Sequence, residues 1–123
     1  MAIKWFSRSE KVACATISKT NIVINKTGSS KCENAYACFI GYDKDNKMIY
    51  IKPISKEEYD LKTSSQDEMF KLSVHSSYTR ISSAAFINMV SSLCEKTFDN
   101  NKYKCYFDSE YQSLVIDLNK EIK

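Results

Sequence analysis

At 123 residues the chain is long enough for one compact domain whose core needs neither disulfides nor metal. An apolar share of 43% and a charged share of 27% are those of a soluble globular protein, and no stretch approaches the ~18 apolar residues of a spanning helix. The net charge of +3 divides unevenly: residues 1–56 carry ten Lys or Arg against four Asp or Glu (+6), and residues 57–123 carry eight against eleven (−3). That polarity suits an acidic partner for the first half.

In chain order, Ile3 to Phe6 is a short apolar opening and Ser7 to Lys11 a charged turn. Val12 to Ile17 alternates roughly and reads as a strand. Lys19-Thr20-Asn21 is a turn and Ile22-Val23-Ile24 the second strand of a hairpin. Thr27 to Asn34 is polar, a loop or one poor helical turn. Tyr36 to Tyr42 and Lys47 to Ile54 flank Asp43-Lys44-Asp45-Asn46, the clearest hairpin of the first half. Ser55 to Glu68 is polar and serine-rich, so 55–69 reads as a linker between halves of about 12–54 and 70–118 in a single domain.

Phe70 to Val74 alternates and reads as a strand, with a shorter one from Tyr78 to Ile81. Ser82 or Ser83 then caps a helix predicted over 84–94. Its apolar stripe is Phe86, Ile87, Val90, Leu93 and Cys94. Lys102 to Phe107 and Leu114 to Leu118 form a closing hairpin around Asp108-Ser109-Glu110. The predicted class is α+β, mostly antiparallel hairpins with one main amphipathic helix.

The two halves echo each other. Ser18 to Asn25 matches His75 to Ser82 in pattern, and Ala35 to Phe39 matches Lys102 to Tyr106. The separation is 57 residues at Ile24/Ile81 and 67 at Cys38/Cys105, as a longer crossover helix in the second copy requires. A tandem repeat of this kind implies a pseudo-twofold domain, one chain imitating a symmetric dimer.

Little in the chain suggests catalysis. His75 is the only histidine, and nothing selects a cysteine to pair with it. Asp43, Asp45, Asp108 and Glu110 are spaced as turn formers, and no EF-hand, P-loop, G-x-G-x-x-G, H-E-x-x-H or G-x-S-x-G occurs. The expectation is a protein that is not an enzyme and takes no cofactor or metal. Cys14, Cys32, Cys38, Cys94 and Cys105 are odd in number and lack a C-x-x-C pair, which argues against a disulfide framework or zinc ribbon. With no secretory signal visible, a reduced, cytoplasmic protein is expected.

The remaining signal is electrostatic. Arg8, Lys11, Lys19, Lys26 and Lys31 lie mostly in predicted turns, where flexible cations neutralise phosphates. Asn21, Asn25 and Asn34 beside them are candidates to read base edges, and Arg80 joins from the second half. The candidate nucleic-acid residues are therefore Arg8, Lys11, Lys19, Asn21, Lys26, Lys31 and Arg80. Tyr36, Tyr42, Tyr50, Tyr103, Tyr106 and Tyr111 are stacking candidates whose strand positions favour sheet packing.

Asn21-Ile22-Val23-Ile24-Asn25-Lys26, a polar crossover, and a hairpin ending in Met48-Ile49-Tyr50-Ile51-Lys52-Pro53 together resemble the AbrB/SpoVT-like swapped-hairpin domain. The resemblance covers about residues 16–54, with an echo over 72–118; Asn25 and Ser82 stand where that family has proline. It implies a small barrel of interleaved halves that binds double-stranded DNA, hence a transcriptional regulator of bacterial or phage-like type. It leaves open a pseudo-dimeric monomer or a homodimer. The other reading is a small accessory protein that binds and inhibits an acidic protein partner through its polarised surface.

Overall fold

The computed structural model describes residues 12–122, leaving aside the side chains of Lys31, Ser64 and Ser65. The predicted opening at Ile3–Phe6 and the turn after it lie outside the described residues. Nine strands run β1 Cys14–Ile17, β2 Asn21–Asn25, β3 Ala37–Asp43, β4 Met48–Ile54, β5 Phe70–Lys71, β6 Ser73–Val74, β7 Tyr78–Ser82, β8 Asn101–Asp108 and β9 Ser113–Ile122. The helices are α1 Lys26–Ser29, α2 Lys56–Leu61 and α3 Ala84–Cys94, with 3₁₀ turns at Ser30–Cys32 and Thr63–Glu68. The class is α+β, every strand pair being antiparallel.

The strand order is β5-β3-β4-β9-β8-β1-β2-β7-β6. The two edge strands, β5 and β6, are separated in the chain by Leu72 alone. One residue spans only a few ångströms, so the edges of the sheet must meet. The sheet therefore curls into a nearly closed barrel, and the segment predicted as one strand over Phe70–Val74 is the seam. It breaks at Leu72 because its first part pairs with β3 and its second with β7.

Alternation decides what fills the barrel. Ala15 and Ile17, Ile22 and Ile24, Ile49 and Ile51, Leu114 and Ile116, and Tyr103 and Cys105 point inward and form one buried cluster with Ile81 and Cys38. Each fully buried Ile or Leu contributes about 1.5–3 kcal/mol of transfer free energy. Tyr103 is buried with its hydroxyl unpaired among the described residues, and burial pushes its phenol up to about 12.

Two hairpins share a turn design. Asp43 accepts from the amides of Asp45 and Asn46 (3.1 and 3.2 Å), as Asp108 does from those of Glu110 and Tyr111 (2.9 and 3.3 Å). The last turn residue, Lys47 or Gln112, is left-handed, with φ of 55° and 52°. These acidic residues therefore build turns, as their spacing predicts.

α3 has the predicted limits. Ser83 caps it by accepting from the Phe86 amide, and Glu95 ends it in the left-handed conformation. Ile87 and Val90 enter the core and Phe86 and Cys94 are partly covered, but Leu93 is 42% exposed. The predicted stripe is too wide by that residue. At one end of β2, Asn25 caps α1 by accepting from the Gly28 amide. A Cβ on Gly28 would stand 2.6 Å from the Ile24 Cγ2, so only glycine allows this turn to lie so close. The predicted linker is also structured: Ser55 caps α2, and Tyr59 meets Tyr36 edge-on at 4.8 Å, tying α2 to the start of β3. No helix of the described residues is long and apolar enough to cross a membrane.

Candidate nucleic-acid interface

Because Ile22 and Ile24 point inward, their neighbours on β2 point out, and the registers then set one outer row across five strands. Lys102 faces Thr16, Thr16 faces Val23, Val23 faces Arg80, and Arg80 faces Ser73. At ~4.8 Å per strand, the Lys102 and Arg80 backbones stand about 14 Å apart. Beside this row Lys104 faces Cys14, and Asn25 faces Tyr78. Lys102, Lys104, Arg80 and Ser82 are exposed. Among the described residues, neither row carries a carboxylate.

Arg80 is held in place. Its Nη2 donates to the Tyr78 hydroxyl at 3.2 Å while the guanidinium sits 5.6 Å from the ring centroid. His75 stacks on the Tyr78 ring, the centroids 4.5 Å apart at an interplanar angle of 24°. His75, Tyr78 and Arg80 thus present an ordered cation beside aromatic surface.

The predicted site residues are distributed over this face and its two ends. Arg8 and Lys11 lie outside the described residues, as does the Lys31 side chain. Lys19 sits in the β1–β2 turn and Lys26 at the start of α1, so they occupy opposite ends of β2, about 20 Å apart at ~3.3 Å per residue. Arg80 lies on the surface between them. Asn21 is also there, but its side chain already accepts from Ser82 Oγ (2.6 Å) and donates to Thr20 Oγ1 (2.9 Å). Asn25 is committed to structure: its Oδ1 accepts from the Cys14 and Gly28 amides and its Nδ2 donates to the Val12 carbonyl. Lys102 and Lys104 are the residues that sequence reasoning missed. Their signal was the Lys-Tyr-Lys-Cys alternation of 102–105, which sends both lysines outward.

Three of the thiols are poorly placed for chemistry. Burial pushes Cys32 up to about 11, and burial with a neighbouring thiol pushes Cys38 and Cys105 up to about 12. Such thiols are protonated at neutral pH and weak nucleophiles. None of the five cysteines is in a disulfide, and the described residues hold no group of three or more His, Cys, Asp or Glu that could bind a metal.

The opposite side of the barrel, over β3, β4, β9 and β8, differs. Gly41, Tyr50, Val115 and Tyr106 form its central row. An open groove of about 530 Å³ lies there, lined by Phe39, Gly41, Asp43, Tyr50, Lys52 and Tyr111 among others. No protein-family model, curated protein or solved structure matches the chain.

Proposed function

We propose that this is a small DNA-binding regulator of swapped-hairpin type, with both halves of the barrel in one chain, and that duplex DNA lies across the outer face of β8, β1, β2 and β7. The observation that carries it is the row from Lys102 to Ser73, cationic at two points and free of carboxylate. Lys102, Lys104 and Arg80 contact phosphates there, Lys19 and Lys26 extend the contact at either end, and Arg80 is the residue best held to enter a groove.

Support for the tandem arrangement comes from the pairing pattern, which survives exchange of the halves. β1–β2 becomes β6–β7, β1–β8 becomes β5–β3, β3–β4 becomes β8–β9, and β2–β7 and β4–β9 turn onto themselves. Register agrees too: Ile17 faces Ile22 and, 57 residues on in both strands (17 to 74, 22 to 79), Val74 faces Thr79. A pseudo-twofold axis through the β2–β7 pair then puts the β1–β2 and β6–β7 turns at opposite ends of one surface.

The test is a titration of mixed-sequence duplex DNA at rising salt. Binding that weakens steeply with salt is expected, with a slope of roughly −0.9 for each phosphate neutralised. Failure to bind at low salt would overturn the proposal and move the function to a protein partner, which the aromatic groove on the other side favours.

A further inference from the structure

Val23 and Arg80 face each other in the β2–β7 pair. They are also equivalent positions of the two halves, 57 residues apart (23 to 80). The axis that exchanges the halves therefore stands between them, normal to the sheet. The flanking pairs agree: Asn21 faces Ser82 and Asn25 faces Tyr78, and the same step carries 21 to 78 and 25 to 82. Farther out, Cys14 faces Lys104, and their equivalents Lys71 and Ala37 (14 to 71, 104 to 37) also face each other. Facing Cα atoms of antiparallel strands lie about 5 Å apart, so Arg80 stands roughly 2.5 Å from the axis, less than the ~3.4 Å rise of one base pair.

The strand pairing obeys this axis and the side chains do not. Thr16 and Ser73 exchange as like residues. Arg80, however, falls on Val23, Lys19 on Ser76 and Lys26 on Ser83, while the step of 67 brings Lys102 onto Ala35. In each of these pairs an exposed cation meets a neutral residue. Lys19, Lys26 and Lys102 thus lie on the β8-β1-β2 side of the axis, and the β7 side presents Arg80 ordered against Tyr78.

We propose that the duplex bound by this face carries a non-palindromic site, which the chain occupies in one orientation with Arg80 over a guanine on one side of the centre. This rests on the reading of the chain as a tandem DNA-binding barrel and adds what that barrel recognises. A true dimer presents the same reader to both half-sites and selects an inverted repeat. Here, turning the duplex end for end puts Val23 over the base that Arg80 had met. Arginine donates two bonds to O6 and N7 of guanine and valine donates none, so the two orientations differ roughly tenfold in affinity. The bond from Arg80 Nη2 to the Tyr78 hydroxyl uses one of five N–H donors and leaves an edge of the guanidinium for guanine. The lysines meet phosphates, which every sequence offers alike, so they strengthen both orientations equally.

The experiment is selection of bound sequences from a library of randomised duplexes by the full chain, for the parent, Val23→Arg and Arg80→Ala. The parent should enrich guanine on one side of the centre and show no preference at the mirrored position. Arg80→Ala, a change at an exposed side chain, should lose that guanine. Val23 is half-buried at an outward position, and Val23→Arg should enrich guanine at both places. Defined duplexes then give the magnitude. The parent should hold the selected site and its guanine palindrome within about twofold of each other, whereas Val23→Arg should hold the palindrome roughly tenfold tighter than the selected site. A parent that enriches a palindrome, or binds duplex without enriching any motif, would overturn the proposal and leave DNA binding standing. So would a one-sided guanine that survives in Arg80→Ala. A parent that binds no randomised duplex at low salt would overturn the DNA reading and this proposal with it.

Discussion

The outer surface over β2 and β7 and the outer surface over β4 and β9 sit on opposite sides of one barrel and share the strand β8. On the first, the outward positions are Thr16, Val23, Lys102, Arg80 and Ser73, polar or cationic at all but Val23. On the second they are Gly41, Tyr50, Val115 and Tyr106, aromatic and grooved. The inward positions beneath them are alike, mostly isoleucine and leucine. A closed sheet must fill its interior with apolar side chains, so its inward set is dictated by the fold. Its outward set is not, and the contrast between the two faces is where function is written.

The comparison breaks most completely if the shared scaffold fails. Val90→Asp puts an unpaired charge into the α3 contact with the core and is expected to cost on the order of 3 kcal/mol or more. Both faces should be lost together, which thermal unfolding and solubility would report. Gly28→Ala should act in the same direction but less, about 1–3 kcal/mol, because Ile24 must shift from an atom placed at 2.6 Å.

Alkali should weaken the scaffold progressively. The Cys32, Cys38 and Cys105 thiols rise from 9.0 to between about 11 and about 12 in the folded chain, and Tyr103 rises from 10.0 to about 12. Between those limits the folded state holds more protons than the unfolded one, so stability falls as pH rises. Their contribution is whole below about pH 9 and is lost between about 9 and 12. Denaturant midpoints measured from pH 7 to 11 should decline above 9; a flat profile would show these groups to be solvated.

The smallest effect separates positioning from readout on the cationic face. Arg80→Ala should cost roughly 1–3 kcal/mol on a preferred sequence and less on mixed sequence, if Arg80 reaches a base edge. An equal loss on both would assign it to phosphate alone. Lys102 and Lys104 are expected to weaken all sequences alike.

How far the sequence could be read follows from which contacts are local. The hairpins at 36–54 and 102–118 were legible because each strand meets its partner across a short acidic turn. The 84–94 helix was legible because Ser83 and a 3.6-residue period mark it. The barrel entered only as what the resemblance implies; the strands themselves do not announce it, because β5 and β6 close it through β3 and β7 and nothing in Phe70–Val74 marks two different partners. α2 hid in a polar stretch: Lys56–Leu61 has no buried residue, and only Ser55 with Glu57 and Glu58 in the first turn hinted at it. The cationic site was half legible. Charge summed by halves of the chain pointed to Lys19 and Lys26, which lie at the ends of the face. Charge summed by strand parity would have found Lys102 and Lys104 in its rows.

The most direct measurement compares the two faces in one assay: the salt dependence of duplex DNA binding for the parent, for Lys102→Ala/Lys104→Ala and for Lys52→Ala. Lys52 lies in the aromatic groove on the far side. The cationic-face variant should flatten the slope of log affinity against log salt by up to about two units, while Lys52→Ala leaves it at the parent value. Equal slopes for all three, or a loss confined to Lys52→Ala, would contradict the assignment of DNA to the β8-β1-β2-β7 face.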